Sequence, residues 1–168
     1  MKAKLMVNGK EFDIEILDLK LQELIAPKQK TGYERADNNE EFYWIDGFGD
    51  VIETFDIRTY DDNERYDVAN YYTNEAVAKN NARADKLMQQ LRRFAVEHRV
   101  EAMDWGKSTQ NKYYIFFNHQ INKIIIEENQ VCHSYGTIYF DSYSTTQLAI
   151  DTFKDELTWY FTEYKDSL

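Results

Sequence analysis

Apolar residues return at three- and four-residue steps between Thr73 and Arg99. Val77, Ala84, Leu87, Met88, Leu91, Phe94, Ala95 and His98 share one face, and Lys79, Arg83, Lys86 and Arg93 fall opposite. This spacing predicts one long amphipathic helix. Thr73 is its expected N-cap, with Glu75 at the positive end of the dipole and Arg92, Arg93 and Arg99 at the negative end. A second helical period, Ala149, Phe153, Leu157, Tyr160, Phe161 and Tyr164, predicts a last helix opening at Ser144, where Ser144 and Gln147 match a capping box. Trp159 lies off that stripe, so either the helix is covered on two sides or Trp159 marks a contact surface.

The remaining apolar runs are short and point to strands. Lys4–Val7 and Phe12–Ile16 flank Asn8-Gly9, a type I′ hairpin signal. Asp18–Ile25 reads as a short helix stopped before Pro27. Residues 28–39 are polar and aperiodic. Strands are expected at 42–45, 51–57 and 66–72, with a turn at 46–49 and a loop at 61–63. Three more, at 112–117, 121–127 and 134–140, suggest a β-meander. The fold class is α+β: antiparallel sheets packed by two long amphipathic helices, with an N-terminal hairpin and short helix. The expected organisation is a hairpin–helix arm at 1–27, a linker at 28–41 and a main domain at 42–168. An echo also runs through the chain. Asn70-Tyr-Tyr-Thr73 and Ile138-Tyr-Phe140 each lead an aromatic strand end into a hydroxyl-capped helix, from duplication or from convergence on good capping.

Composition narrows the function classes. With 168 residues and 43% hydrophobic content the chain can bury a core. Aromatics at 15% favour half-buried sheet packing and also suit binding surfaces. The net charge of −10 argues against direct nucleic-acid binding and against an anionic membrane. The one cysteine, Cys132, excludes an internal disulfide and reads as a small buried apolar residue. With no leader-like segment and no apolar run of membrane length, a cytoplasmic protein of the host cell is expected.

The charge is unevenly placed. Between Tyr33 and Asp67 twelve acids stand against Arg35, Arg58 and Arg65. From Thr73 to Arg99 the balance reverses, with six bases to three acids. One reading is a solvated acidic face partly neutralised by the helix. The sharper reading is a surface that imitates the phosphate spacing of nucleic acid and enters a basic groove on another protein. Its acids would be Asp46, Asp50, Glu53, Asp56, Asp61, Asp62 and Glu64. The interleaved Tyr43, Trp44, Phe48, Tyr60, Tyr66 and Tyr71 would add aromatic anchors, and Trp159 a further contact.

No catalytic pattern competes with these readings. Asp46–Asp50 and Asp61–Glu64 are oxygen-rich but lack the spacing of a calcium loop. His98, His119 and His133 are scattered, so no metal is expected. Phosphate-loop, dinucleotide and nucleophile-elbow motifs are missing, so neither a cofactor nor an enzyme activity is expected. The basic stripe leaves one smaller alternative: a sponge that sequesters a signalling nucleotide in an Arg/Tyr-lined pocket, with a homodimer as one form it can take.

The order FYWID (42–46), YDVANYYTNEAVA (66–78), RRFAVEH (92–98), Trp105, NKYYI (111–115) and GTIYFDS…TTQLAID (136–151) resembles small acidic accessory proteins of phages and prophages of Gram-positive bacteria. The likeness extends to the NGKEF start and the TGYER segment. It implies a setting in phage–host conflict, where such proteins include anti-CRISPR and other anti-defence inhibitors. The partner it implies is a host protein effector such as a Cas nuclease.

Overall fold

On either side of Gly9, β1 (Lys2–Val7) and β2 (Lys10–Glu15) pair antiparallel, in a register that sets Val7 against Lys10. Gly9 takes φ +77°, the left-handed conformation that a tight hairpin needs. The computed structural model describes residues 2–7, 9–15 and 30–164. Asn8, Ile16 and the helix expected at 18–25 lie outside them. The chain forms two compact units, 1–31 and 32–168. The first holds this hairpin. The second begins inside the polar stretch 28–41, and Ala36 there is buried in its core.

In the second unit β3 (Glu41–Ile45) and β4 (Val51–Phe55) form an antiparallel hairpin. Asp46 builds its turn: Oδ1 accepts the amides of Phe48 and Asp50 at 2.8 and 2.9 Å. The loop expected at 61–63 and the first part of the strand expected at 66–72 are instead a helix, α1 (Tyr60–Asp67). A reciprocal capping box starts it. Thr59 Oγ1 accepts the Asp62 amide, and Asp62 Oδ2 accepts the Thr59 amide. Only Tyr72 keeps a sheet role, in an antiparallel bridge with Tyr43.

The long helix is present as α2 (Glu75–Glu97). Its N-cap is Asn74, not Thr73: Asn74 Oδ1 accepts the amides of Ala76 and Val77, whereas the Thr73 amide donates to Gly32 O at 2.8 Å. Gly32 is required there. It has φ +93°, and a Cβ would sit 3.0 Å from Val77 Cγ2. His98 caps the far end and stacks on Phe94, with ring centroids 3.9 Å apart.

Strands β5 (Lys112–Asn118), β6 (Lys123–Asn129) and β7 (Tyr139–Phe140) lie in the order β6-β5-β7. This corrects the expected meander, since β7 returns to the far edge of β5. It is two residues long because Ser134–Thr137 is a turn, with Gly136 at φ +75°. The last helix is broken into α3 (Tyr143–Thr152) and α4 (Lys154–Thr162). Phe153 leaves helical geometry between them and packs edge-on against Phe94. Ser142, not Ser144, caps α3 by accepting the Thr145 amide, and Gln147 bonds Asp151 instead.

Leu87, Leu91, Phe94, Ala95, Phe140, Ala149 and Leu157 form the main core. Each large side chain fully buried there contributes about 1.5–3 kcal/mol. Ala36, Phe42 and Tyr71 form a smaller one, in which Phe42 and Tyr71 stack at 4.0 Å.

The echo is a shared topology. In both halves a hairpin is followed by a short segment that pairs antiparallel with the hairpin's first strand: Tyr72 with Tyr43, and Phe140 with Tyr113. A helix cap follows two residues later, at Asn74 and Ser142. In this register Phe42 matches Lys112, Tyr71 matches Tyr139 and Ala78 matches Thr146, and all six are buried.

Candidate functional site

The arginines of the acidic segment decide which of its acids face solvent. Asp56 is 0% exposed at the end of β4. Arg35 Nε and Tyr71 Oη donate to its Oδ2, both at 2.9 Å, and Arg58 Nη1 donates to the same oxygen at 3.0 Å. The Arg58 amide donates to Oδ1 at 2.9 Å from a left-handed residue, φ +61°. Burial pushes the Asp56 carboxyl up, but the bonds from Arg35, the Arg58 amide and Tyr71 outweigh it and hold the carboxyl down at about 2. The same burial and the bond to Asp56 push Tyr71 up to about 12. Arg58 Nη2 also donates to Ala36 O, and Tyr71 Oη accepts the Ala36 amide. Asp56 thereby ties the 35–36 segment to β4 and Tyr71.

Asp62 is the second buried acid, at 4% exposed. It caps α1 and pairs with Arg65 at 3.5 Å. The Arg65 guanidinium also covers the Trp44 ring, 4.2 Å from its centroid. All three arginines of the segment are thus turned onto two buried carboxylates and one tryptophan.

Several expected contact residues are corrected by this arrangement. Asp56 and Asp62 are interior ligands of arginine and backbone and cannot meet a partner, and Tyr71, 1% exposed, is interior with them. Trp44 is half-buried under Arg65. Trp159 is only 8% exposed, with the Arg83 guanidinium 3.9 Å from its ring centroid. Arg83 is in turn bidentate to Glu156, at 2.7 and 3.0 Å. Cys132, expected inside, is exposed.

The other expected acids remain accessible: Asp46 is half-buried, and Asp50, Glu53, Asp61 and Glu64 are exposed. They do not form a single row. Strand alternation puts Glu53 on the hairpin face shared with Glu41, Tyr43 and Phe55. The other face carries Phe42 and Trp44, and Arg65 places α1 against it. Along α1, Asp61, Glu64 and Asp67 recur at three-residue steps on the exposed side, beside Tyr60, which is 75% exposed. The end of this stripe meets the β3–β4 turn. Asn70 exchanges two hydrogen bonds with the Ile45 backbone, at 2.8 and 2.7 Å, and Asp46–Asp50, Val68 and Ala69 line one groove. Phe48, at the tip, is 94% exposed. None of Asp46, Asp50, Glu53, Asp61, Glu64 and Asp67 makes an ion pair with another described residue.

Asp67 joins this surface without being among the expected contact acids, whereas Phe48 is one of the expected aromatic anchors. The signal for Asp67 was available in Thr59-x-x-Asp62, a helix start that puts 61, 64 and 67 on one side. Among the described residues, no three His, Cys, Asp or Glu side chains are grouped so as to hold a metal ion. No described helix is long and apolar enough to cross a membrane. No family model, curated protein or solved structure matches the chain.

Proposed function

We propose that this chain is a non-enzymatic binding protein whose α1 stripe, continued by the acids of the β3–β4 turn, occupies a basic nucleic-acid groove on another protein. In the phage setting implied by the resemblance, the chain is an inhibitor of a bacterial defence system, and the groove belongs to an effector such as a Cas nuclease. The observation that carries the reading is the inward turn of Arg35, Arg58 and Arg65, which leaves the outer acids with no basic neighbour from their own segment. Asp61, Glu64 and Asp67 advance along the helix axis by about 4.5 Å per charge. The phosphates of one DNA strand advance by about 3.4 Å. Tyr60 and Phe48 supply the exposed aromatic contacts that such a surface needs for affinity beyond steering.

The test uses the tagged chain as bait in lysate of a defence-bearing Gram-positive host, with bound protein displaced by duplex DNA. The expected result is a nuclease or other DNA-binding protein that DNA releases. The triple variant D61K/E64K/D67K should fail to capture it. Capture that neither DNA nor the triple reversal affects would remove the proposal.

A further inference from the structure

The cations on α2 and just past its end divide into two groups. Lys79 pairs with Glu75 at 2.7 Å, Arg83 with Glu156 at 2.7 Å and Arg93 with Glu97 at 3.9 Å. Lys86, Arg92 and Arg99 pair with no described carboxylate, in a chain with thirty acids to twenty Lys and Arg. Lys86 borders the groove of the β3–β4 turn, whereas Arg92 and Arg99 line one open cleft of about 220 Å³. Arg92, Val96 and Arg99 follow one another at four and three residues. The Arg99 amide still bonds Val96 O at 3.4 Å, so the three lie on one side of the helix end.

The opposite wall is aromatic. Trp105 and His133 stack with centroids 4.4 Å apart and planes 6° apart. Tyr139 stands edge-on to both, at 4.8 and 5.1 Å. Trp105 is half-buried, whereas His133 is exposed.

Unusual internal bonds fix these walls. Asp141 Oδ2 accepts the amides of Val100 and Glu101, which holds the chain just after Arg99. Tyr139 Oη accepts the Ser134 amide at 3.0 Å and donates to Cys132 O at 3.5 Å, so the residues on both sides of His133 are tied to one hydroxyl. Lys112 is 0% exposed. Its Nζ donates to Gln130 O at 2.7 Å and Lys107 O at 3.3 Å, and lies 5.2 Å from the Trp105 ring centroid. A buried ammonium held only by carbonyls and a ring is costly. Here it staples the two loops that carry Trp105 and His133.

We propose that this cleft binds one free nucleotide, with the base stacked on the exposed His133 ring and the phosphate held by Arg92 and Arg99. A guanidinium pair matches phosphate oxygens, and a stacked ring system offers a base a sequence-tolerant platform. The cleft is small, about 220 Å³, and open to solvent, so it encloses a ligand only in part. The net charge of −10 opposes a polymeric nucleic acid. The site is separate from the acidic α1 surface and does not depend on it.

Calorimetric titration of the full chain with AMP, GMP, CMP, UMP and inorganic phosphate, with tryptophan fluorescence read in parallel, tests the assignment. The expected result is saturable binding of at least one nucleotide, tighter than inorganic phosphate and accompanied by a fluorescence change. R92A/R99A should weaken it at least tenfold while keeping the wild-type far-UV spectrum and melting temperature, since both side chains are exposed. His133→Ala should weaken the nucleotide and leave phosphate unchanged. D61K/E64K/D67K should bind as wild type, which separates this site from the acidic surface. Absence of binding to all four nucleotides at millimolar concentration would overturn the assignment. So would phosphate binding as tightly as the best nucleotide, or an R92A/R99A variant that binds unchanged.

Discussion

Asp56 shows how one buried carboxylate can decide what a surface presents. It draws in Arg35 and Arg58, and with them the positive charge that would otherwise sit among the outer acids. Its folded-state pKa of about 2 lies below the ordinary aspartate value, so ionised Asp56 favours the folded chain. That stability is fully present above about pH 4 and is lost as pH falls toward 2. The urea midpoint of the wild type should therefore drop between pH 4 and pH 2, whereas the midpoint of Asp56→Ala should change less over that window. At pH 7 the same variant should lose about 3 kcal/mol, because two buried-side arginine bonds and the Tyr71 hydroxyl lose their acceptor. Equilibrium unfolding followed by circular dichroism measures both. Nothing in the sequence singled out Asp56 from its eleven acidic neighbours. Its role depends on Arg35 and Tyr71, which stand 21 and 15 residues away in opposite directions.

Among the elements, those with a strong period were legible and those built by local polar bonds were not. The α2 period survives in the structure because Leu87, Leu91 and Phe94 do bury one face. The β3–β4 and β5–β6 pairs follow from alternation and turn residues. In contrast, α1 reads YDDNERYD, whose side chains bury almost no apolar surface, and its start rests on the Thr59–Asp62 box. Replacing Thr59 by Ala should cost about 1 kcal/mol and weaken binding through the α1 stripe without touching an acid. A lower melting temperature together with unchanged affinity would show that the stripe does not depend on the helix. Caps also shifted by a residue or two, from Thr73 to Asn74 and from Ser144 to Ser142, since adjacent polar residues offer equivalent oxygens and tertiary bonds choose between them. Gly32 made the first choice by taking the Thr73 amide. Its replacement by Ala should cost at least about 1 kcal/mol, from φ +93° and the 3.0 Å approach to Val77.

At the scale of the second unit, the same β-hairpin, returning strand and capped helix occur twice and carry different surfaces. The first copy surrounds the Asp56 network and exposes acids. The second, with the end of α2, surrounds Lys112 and presents Arg92 and Arg99 beside an aromatic stack. The charge imbalance between the two regions was plain in the sequence, but its sorting into buried and exposed members was not, because sorting depends on which strand face each residue takes. The exposed α1 acids are proposed to bind a basic groove. The most direct measurement is the dissociation constant of the captured effector for this chain between about 50 and 300 mM salt, for the wild type and D61K/E64K/D67K. Unpaired surface charges meeting a basic groove predict affinity that falls at least about tenfold across that range in the wild type. They also predict that the triple variant loses both the affinity and the salt dependence. A wild-type affinity indifferent to salt, or a triple variant that binds as the wild type does, would contradict it.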